Sequence, residues 1–227
     1  MKAEWIQFAF HIDWLVTVTK VAGLGKRAEH RLARRAEFIA EAAKVFLEFG
    51  LRDATMDDVA AKLGVSKVVV YRYFSSKEDL VDSILVNMTG KLLEQDRLPF
   101  AGYKTSLNRS IKVAREDPAA FLLLARDAKS DPIFSCHHQA VWQGVTDRLV
   151  RTYADFGMDE FYARMSGEAL MSYSLNVQVY WIEHGCADRD EEFEVWAAAG
   201  LKALDQQWRA NYTAPVTDRS KIENVEL

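Results

Sequence analysis

The chain has 227 residues, a formal charge of −4 and 49% hydrophobic residues, enough for a small module and a larger domain around a real core. Only four prolines interrupt a sequence rich in Ala, Leu, Glu, Lys and Arg, and no long Val/Ile/Thr alternation bounded by turn residues appears, so an all-α fold is predicted. Cysteine is confined to Cys136 and Cys186, which excludes a disulfide framework and a CxxC metal site and suits a reducing cytoplasm.

Residues 1–25 form an apolar extension around Trp5, Phe8, Ile12 and Leu15. Glu4, His11 and Asp13 interrupt it, and it is too short and wrongly flanked for a membrane span or a signal peptide. Its spacing predicts either a short amphipathic helix that packs on the body or a partner, or residues upstream of the native start. Charge is concentrated beyond it. Between Lys26 and Lys77 there are eleven Lys/Arg against seven Asp/Glu, a balance of +4, which leaves −8 for the remainder. A basic head on an acidic body fits a nucleic-acid contact confined to one end.

From Arg31 a helical stripe of Leu32, Ala36, Ile39, Ala43, Phe46 and Leu47 runs to Gly50 and predicts a first helix. Thr55 can cap a second helix that reaches about Leu63, with Asp57 and Asp58 favourable near its positive end. Gly64-Val65-Ser66 follows, then Lys67-Val-Val-Val-Tyr-Arg-Tyr-Phe74. Ala60 is small where a second helix must cross, Gly64 stands where the chain needs positive φ, and Val70 fills the angle between helices. Val59, Leu63, Val65 and Tyr73 complete that small core. Ser66 can cap the third helix, leaving Lys67, Val68, Val69, Tyr71 and Arg72 at its start and outer side, where valine methyls can meet thymine methyls and Arg can pair with guanine. Such a helix pair also occurs as plain packing, but exposed valines and a tyrosine beside Lys67 and Arg72 need something to cover them.

Phe38-Ile-Ala-Glu-Ala-Ala-Lys-Val-Phe46, Phe49-Gly50, Ala54-Thr55-Met-Asp-Asp-Val-Ala60, Leu63-Gly-Val-Ser66, Tyr71-Arg-Tyr-Phe74 and Lys77-Glu-Asp-Leu80 together resemble the signature of the TetR family of regulators. The resemblance implies a three-helix helix-turn-helix domain (26–76), a larger helical ligand-binding and dimerisation domain (77–212) and a short tail (213–227). It further implies that Tyr71 and Lys77 contact phosphates, that Thr55 contacts the DNA backbone and that the third helix reads bases. Val68 departs from the Gly or Pro that the family often carries there. Arg34 and Arg35, in a basic run from Lys26, are candidates for backbone or minor-groove contacts or else belong to a solvated face. The full expected DNA set is therefore Arg34, Arg35, Thr55, Ser66, Lys67, Val68, Val69, Tyr71, Arg72, Tyr73 and Lys77.

In the body, Lys77 to about Asp96 reads as a helix that, by the resemblance, joins DNA reader to sensor, and Leu98-Pro-Phe-Ala-Gly102 ends it. Further helices are predicted at about 103–115, 118–128, 133–156, 159–184 and 190–212, each set off by Pro, Gly or capping residues. Phe193, Trp196, Ala197, Gly200, Leu201, Leu204 and Trp208 form a stripe that reads as a dimer interface, with intramolecular packing as the alternative. Phe121, Phe134, His138, Trp142, Tyr173, Asn176 and Tyr180 could line a ligand cavity or be ordinary core residues. His137 and His138 follow Cys136 directly, and neighbours on a helix diverge by about 100°, so no metal site is predicted.

No GxSxG, HExxH, P-loop or dinucleotide fingerprint is present, so no catalytic residue and no cofactor are assigned. The expected molecule is a cytoplasmic homodimeric regulator, a repressor in the first instance, that binds near-palindromic double-stranded operator DNA and is released by an apolar or aromatic small-molecule effector. No membrane partner is expected. An activator, or an architectural protein that binds all duplexes alike, stays open.

Overall fold

The structure, a computed structural model, describes residues 25–213, and the expected amphipathic extension and most of the expected tail lie outside the described residues. Nine α-helices and no strands are found among the described residues: α1 (Lys26–Phe49), α2 (Met56–Leu63), α3 (Lys67–Tyr71), α4 (Lys77–Asp96), α5 (Tyr103–Glu116), α6 (Pro118–Leu122), α7 (Ser135–Asp155), α8 (Glu160–His184) and α9 (Asp190–Thr213). The boundaries follow local chemistry. Thr55 and Asp58 close a reciprocal capping box at α2, Ser76 accepts from the Asp79 N–H at α4, and Asp117 and Asp159 cap α6 and α8 in the same way. Helix α1 starts at Lys26, earlier than its apolar stripe, because the stripe marks only the packed part. Its buried residues begin at Phe38.

Helices α1 to α3 enclose a small core in which Phe38, Phe46, Val59, Val70 and Phe74 are essentially inaccessible. At the turn between α2 and α3, Gly64 takes φ +64°, and the Val65 N–H returns to the Ala60 carbonyl at 3.0 Å, closing α2. Ser66 occupies the capping position of α3 but its hydroxyl makes no capping hydrogen bond, a correction to the expected cap. Helix α3 is only five residues long and is held by Val70 from behind.

The body is a bundle in which α7 pairs along α8, α9 packs on α5 and α8, and α4 packs on α7. Helix α6 continues through a π-helical turn at Leu123–Asp127 and a 3₁₀ turn at Ala128–Ser130, which splits the single helix expected over 118–128. Phe121 to Ala125 are all buried, so this segment threads the interior, where it touches α1, α4 and α8. The hairpin of α8 and α9 is closed by a stack of Trp181 on Phe193 (ring centroids 4.9 Å, interplanar angle 4°). Trp181 and Arg115 both donate to the Asp190 carboxylate, pinning α5 to that end.

The stripe expected to form the dimer interface is divided by this packing. Phe193, Ala197 and Leu201 are buried within the chain, and Gly200 lies against Tyr173 of α8, whose hydroxyl would clash with a Cβ placed there. Leu204 and Trp208 are half-buried, and Trp196 alone of the seven is well exposed, at 63%. The small residues of α9 therefore serve close approach within the chain, which corrects the reading of this stripe as one outward face.

The surroundings of Gly64 are open, so Gly64→Ala meets no clash and costs only left-handed backbone strain. We expect a loss of about 1 kcal/mol in urea denaturation, with Gly64→Asn closer to wild type.

Candidate nucleic-acid interface

Helix α3 presents its outer side to solvent. Lys67, Tyr71 and Arg72 are exposed and Val68 is 64% exposed, whereas Val69 is half-buried and Val70 fully buried. The sequence places these side chains because a helix buried on one side by every third or fourth residue must show the others. Three unlike chemistries, a cation, methyl groups and a phenol, are thereby gathered on one short helix.

Neighbouring groups fix the setting of this face. The Lys67 ammonium pairs with Asp57 at 2.7 Å, and that hydrogen bond raises its pKa, so it stays charged and can exchange one anionic oxygen for another. Thr55 is exposed at the start of α2. Its hydroxyl and backbone N–H both donate to Asp58, holding that carboxyl below its usual range. Lys77, at the entry to α4, donates to the Arg52 carbonyl and so ties α4 to the connection between α1 and α2.

Tyr73 and the two arginines of α1 make contacts within the chain. Tyr73 is half-buried with its ring 5.0 Å from that of Phe38, so it belongs to the core behind α3 and not to the outer face. Arg35 stacks over the Phe74 ring at 4.8 Å and donates to Ser83 Oγ at 2.8 Å, joining α1 to α4. Arg34 lies over Phe38 and pairs with Glu37 at 2.7 Å. Lys26, Arg27, His30 and Arg31 remain exposed on the projecting start of α1.

Besides the packing of α4 and α6 on α1, this unit is joined to the body by Arg52, which faces the nearly buried Asp131 at 3.6 Å, by Arg35 on Ser83 and by Lys77 on the Arg52 carbonyl, while within the body His137 Nε2 meets Asp82 of α4 at 2.8 Å. The far end of α4 meets a cavity of about 130 Å³, walled by residues of α4, α5, α6, α7, α8 and α9. Of the seven residues expected to line a ligand site, Phe121 alone does so. Phe134 and His138 are buried elsewhere, with His138 Nδ1 on the Leu124 carbonyl and its ring against Trp142, which donates to Glu168. Tyr173 lies under Gly200, and Asn176 and Tyr180 line an outer groove with Trp196. Sequence reasoning favours aromatics and misses the aliphatic walls and a polar strip of Ser110, Ser174 and Gln178. The i,i+4 pair Ser174 and Gln178 among Leu170, Met171, Leu175, Val177 and Val179 is the available signal.

Arg35→Ala removes a ring stack and a half-buried hydrogen bond, so a loss of about 1–2 kcal/mol in urea unfolding is expected without any DNA present. Arg34→Ala should lose under about 1 kcal/mol. Equal unfolding curves for wild type and Arg35→Ala would refute the positioning role.

No helix among the described residues is long and apolar enough to cross a membrane, and no group of three or more His, Cys, Asp or Glu among them gathers to hold a metal ion. Residues 38–84, which contain this face and the small core behind it, match the family of bacterial regulatory proteins called the tetR family. The chain is 26% identical over 175 residues to the transcriptional activator FasR of Mycolicibacterium smegmatis, covering 70% of this chain and 78% of that protein. Over a shorter stretch of 53 residues it is 42% identical to the transcriptional repressor KstR2 of Mycobacterium tuberculosis, 23% of this chain and 26% of that one. Alignments to further regulators span 60% or 56% of their length. Among solved structures, PfmR of Thermus thermophilus, a TetR family regulator, superposes with a TM-score of 0.56 at 25% identity, over 74% of this chain and 96% of that one. Residues 38–84 thus carry the helix-turn-helix domain of the tetR family, and along most of the chain the all-helical fold is similar to that of TetR family transcriptional regulators.

Proposed function

We propose that this regulator binds a near-palindromic operator as a homodimer, represses transcription from it, and leaves the DNA when a small molecule occupies the cavity at the far end of α4. The observation that carries the reading is the outer face of α3, where Lys67, Val68, Tyr71 and Arg72 stand free of the chain's own core while Val70 anchors the helix from behind. A helix buried on one side and exposed on the other is an element that a major groove admits. In the proposed division of labour, Val68, Val69 and Arg72 meet base edges, Tyr71, Lys77 and Thr55 meet the phosphate backbone, and Lys67 trades Asp57 for a phosphate.

Exposed aromatic surface supports a dimer. Tyr180 of α8 and Trp196 of α9 are 67% and 63% exposed and line one groove of about 540 Å³. Phe161 and Met165, farther along α8, are also exposed. Large apolar side chains grouped on the last two helices favour covering by a second copy. A twofold pair would set two α3 helices about 34 Å apart, one turn of duplex. Release follows from the placement of α4, whose first residue, Lys77, lies at the DNA face and whose last, Asp96, lines the cavity. The domain boundary at residue 77 is then a joint and not a gap.

Selection of bound duplexes from a random pool with purified protein would identify the operator, and transcription from that operator in a reconstituted system gives the sign of regulation. Similar affinity for every duplex would sink the specific-regulator reading in favour of an architectural one. Lys77→Ala should weaken binding to all sequences and flatten its salt dependence by about one charge, whereas Arg72→Ala should change base preference at one position per half-site. Trp196→Glu should shift the purified protein toward monomer in sedimentation and weaken operator binding while leaving its helical content unchanged.

A further inference from the structure

The cavity reached by α4 has three chemically distinct regions. Its body is aliphatic, with Leu107, Val141, Val145, Leu170 and Met171 in the wall, and its volume of about 130 Å³ is close to the ~150 Å³ known to hold one benzene ring. Along one wall Ser110 donates to Gln178 Oε1 at 2.6 Å, and the Gln178 amide donates to Ser174 at 3.0 Å. Gln178 is 6% exposed, so this strip is a buried hydrogen-bonding element in an apolar surface.

The mouth carries the charge. Arg148 and Asp96, both in the lining, form a two-pronged ion pair with Nε at 2.9 and 3.0 Å from the two carboxylate oxygens, so they neutralise each other. Arg109 also lines the mouth but forms no ion pair among the described residues; its guanidinium donates to the neutral Pro99 carbonyl at 3.0 Å. One uncompensated positive charge is thus left at the edge of an apolar space. Burial, and then the Asp205 carboxylate, push the Tyr103 phenol up, so it remains protonated beside this mouth and adds no negative charge. Pro99 lies in the connection between α4 and α5, whose Leu98 and Phe100 line the same mouth although they are 44% and 59% exposed.

We propose that the effector is a compact monocarboxylate, with a body of one ring or a medium-length chain in the aliphatic space and its carboxylate on Arg109, a choice that rests on this cavity being the effector site. A neutral ligand of the same shape leaves Arg109 with only its carbonyl partner. A cation meets like charge, and a second carboxylate would have to sit in the aliphatic walls or against Asp96. Seating of the carboxylate beside Pro99 also gives Leu98 and Phe100 an apolar body to close on, at the end of the helix that starts at the DNA face.

The test uses the purified full chain in calorimetric titrations with octanoate, 3-phenylpropanoate, their alcohols octan-1-ol and 3-phenylpropan-1-ol, and hexadecanoate. Each acid should bind at least about tenfold tighter than its alcohol, and hexadecanoate at least about tenfold more weakly than octanoate. The tighter of the two short acids assigns the body as chain or ring. Arg109→Gln, which keeps a donor for Pro99, should abolish the preference for acids without weakening the alcohols, and Arg109→Lys should retain it. Val145→Phe, which fills the cavity, should block all binding. If acids and alcohols bind equally well and Val145→Phe blocks both, the carboxylate assignment is overturned and the effector site stands. Equal binding of hexadecanoate overturns the compact body. If none of the probes binds, or Val145→Phe changes nothing, the carboxylate proposal and the reading of the cavity fall together.

Discussion

Helix α4 is the member on which the other elements depend, because both halves of the molecule bury their apolar surface against it. Leu80, Val81, Ile84, Leu85 and Met88 are all within 1% of full burial, and the helix touches α1, α5, α6 and α7. Five such side chains contribute on the order of 10 kcal/mol of gross apolar burial, comparable to the whole net stability of a domain. Neither the DNA-reading unit nor the bundle can therefore shift against α4 without exposing surface that the fold cannot spare. In the proposed release, a movement at one end is passed to the other as a rigid displacement.

Polar contacts give that displacement direction. Arg35 with Ser83, and His137 with Asp82, attach neighbouring helices to the first two turns of α4, while Arg148 holds Asp96 at its last turn. Arg52 facing Asp131 adds a link that bypasses α4 and joins the connection between α1 and α2 to the segment after the π-helical turn. A π-turn carries one residue too many for regular helix. Phe121, just before it, lines the cavity. Two routes of contact thus run from the cavity to the DNA face, one along a stiff helix and one through an irregular buried segment.

The helix-turn-helix was legible in the sequence to a degree that the rest was not. Thr55, Gly64 and Val70 do their work within a few residues of their partners: a cap, a left-handed turn and an anchor are local demands, and local demands leave a local signature. Ser66 shows the limit of that logic, since its position suits a cap but its hydroxyl makes no such bond. The two arginines of α1 look alike in a basic run. Only the fold separates Arg35, drawn onto Phe74, from Arg34, left beside Glu37.

What the sequence by itself determined is the set of helices and the buried side of each, because periodicity, caps and breakers are properties of one segment. What only the tertiary structure decided is which faces meet. Phe193, Ala197 and Leu201 were visible as a stripe, but whether that stripe covers a partner or its own α8 depends on the angle of a hairpin closed by Trp181 and Asp190, far away in the turn. The cavity is harder still to foresee. It is the space left where six helices fail to close, its walls are largely ordinary leucines and valines, and its charge is the remainder after Asp96 has cancelled Arg148. Such a remainder exists only once the chain has folded.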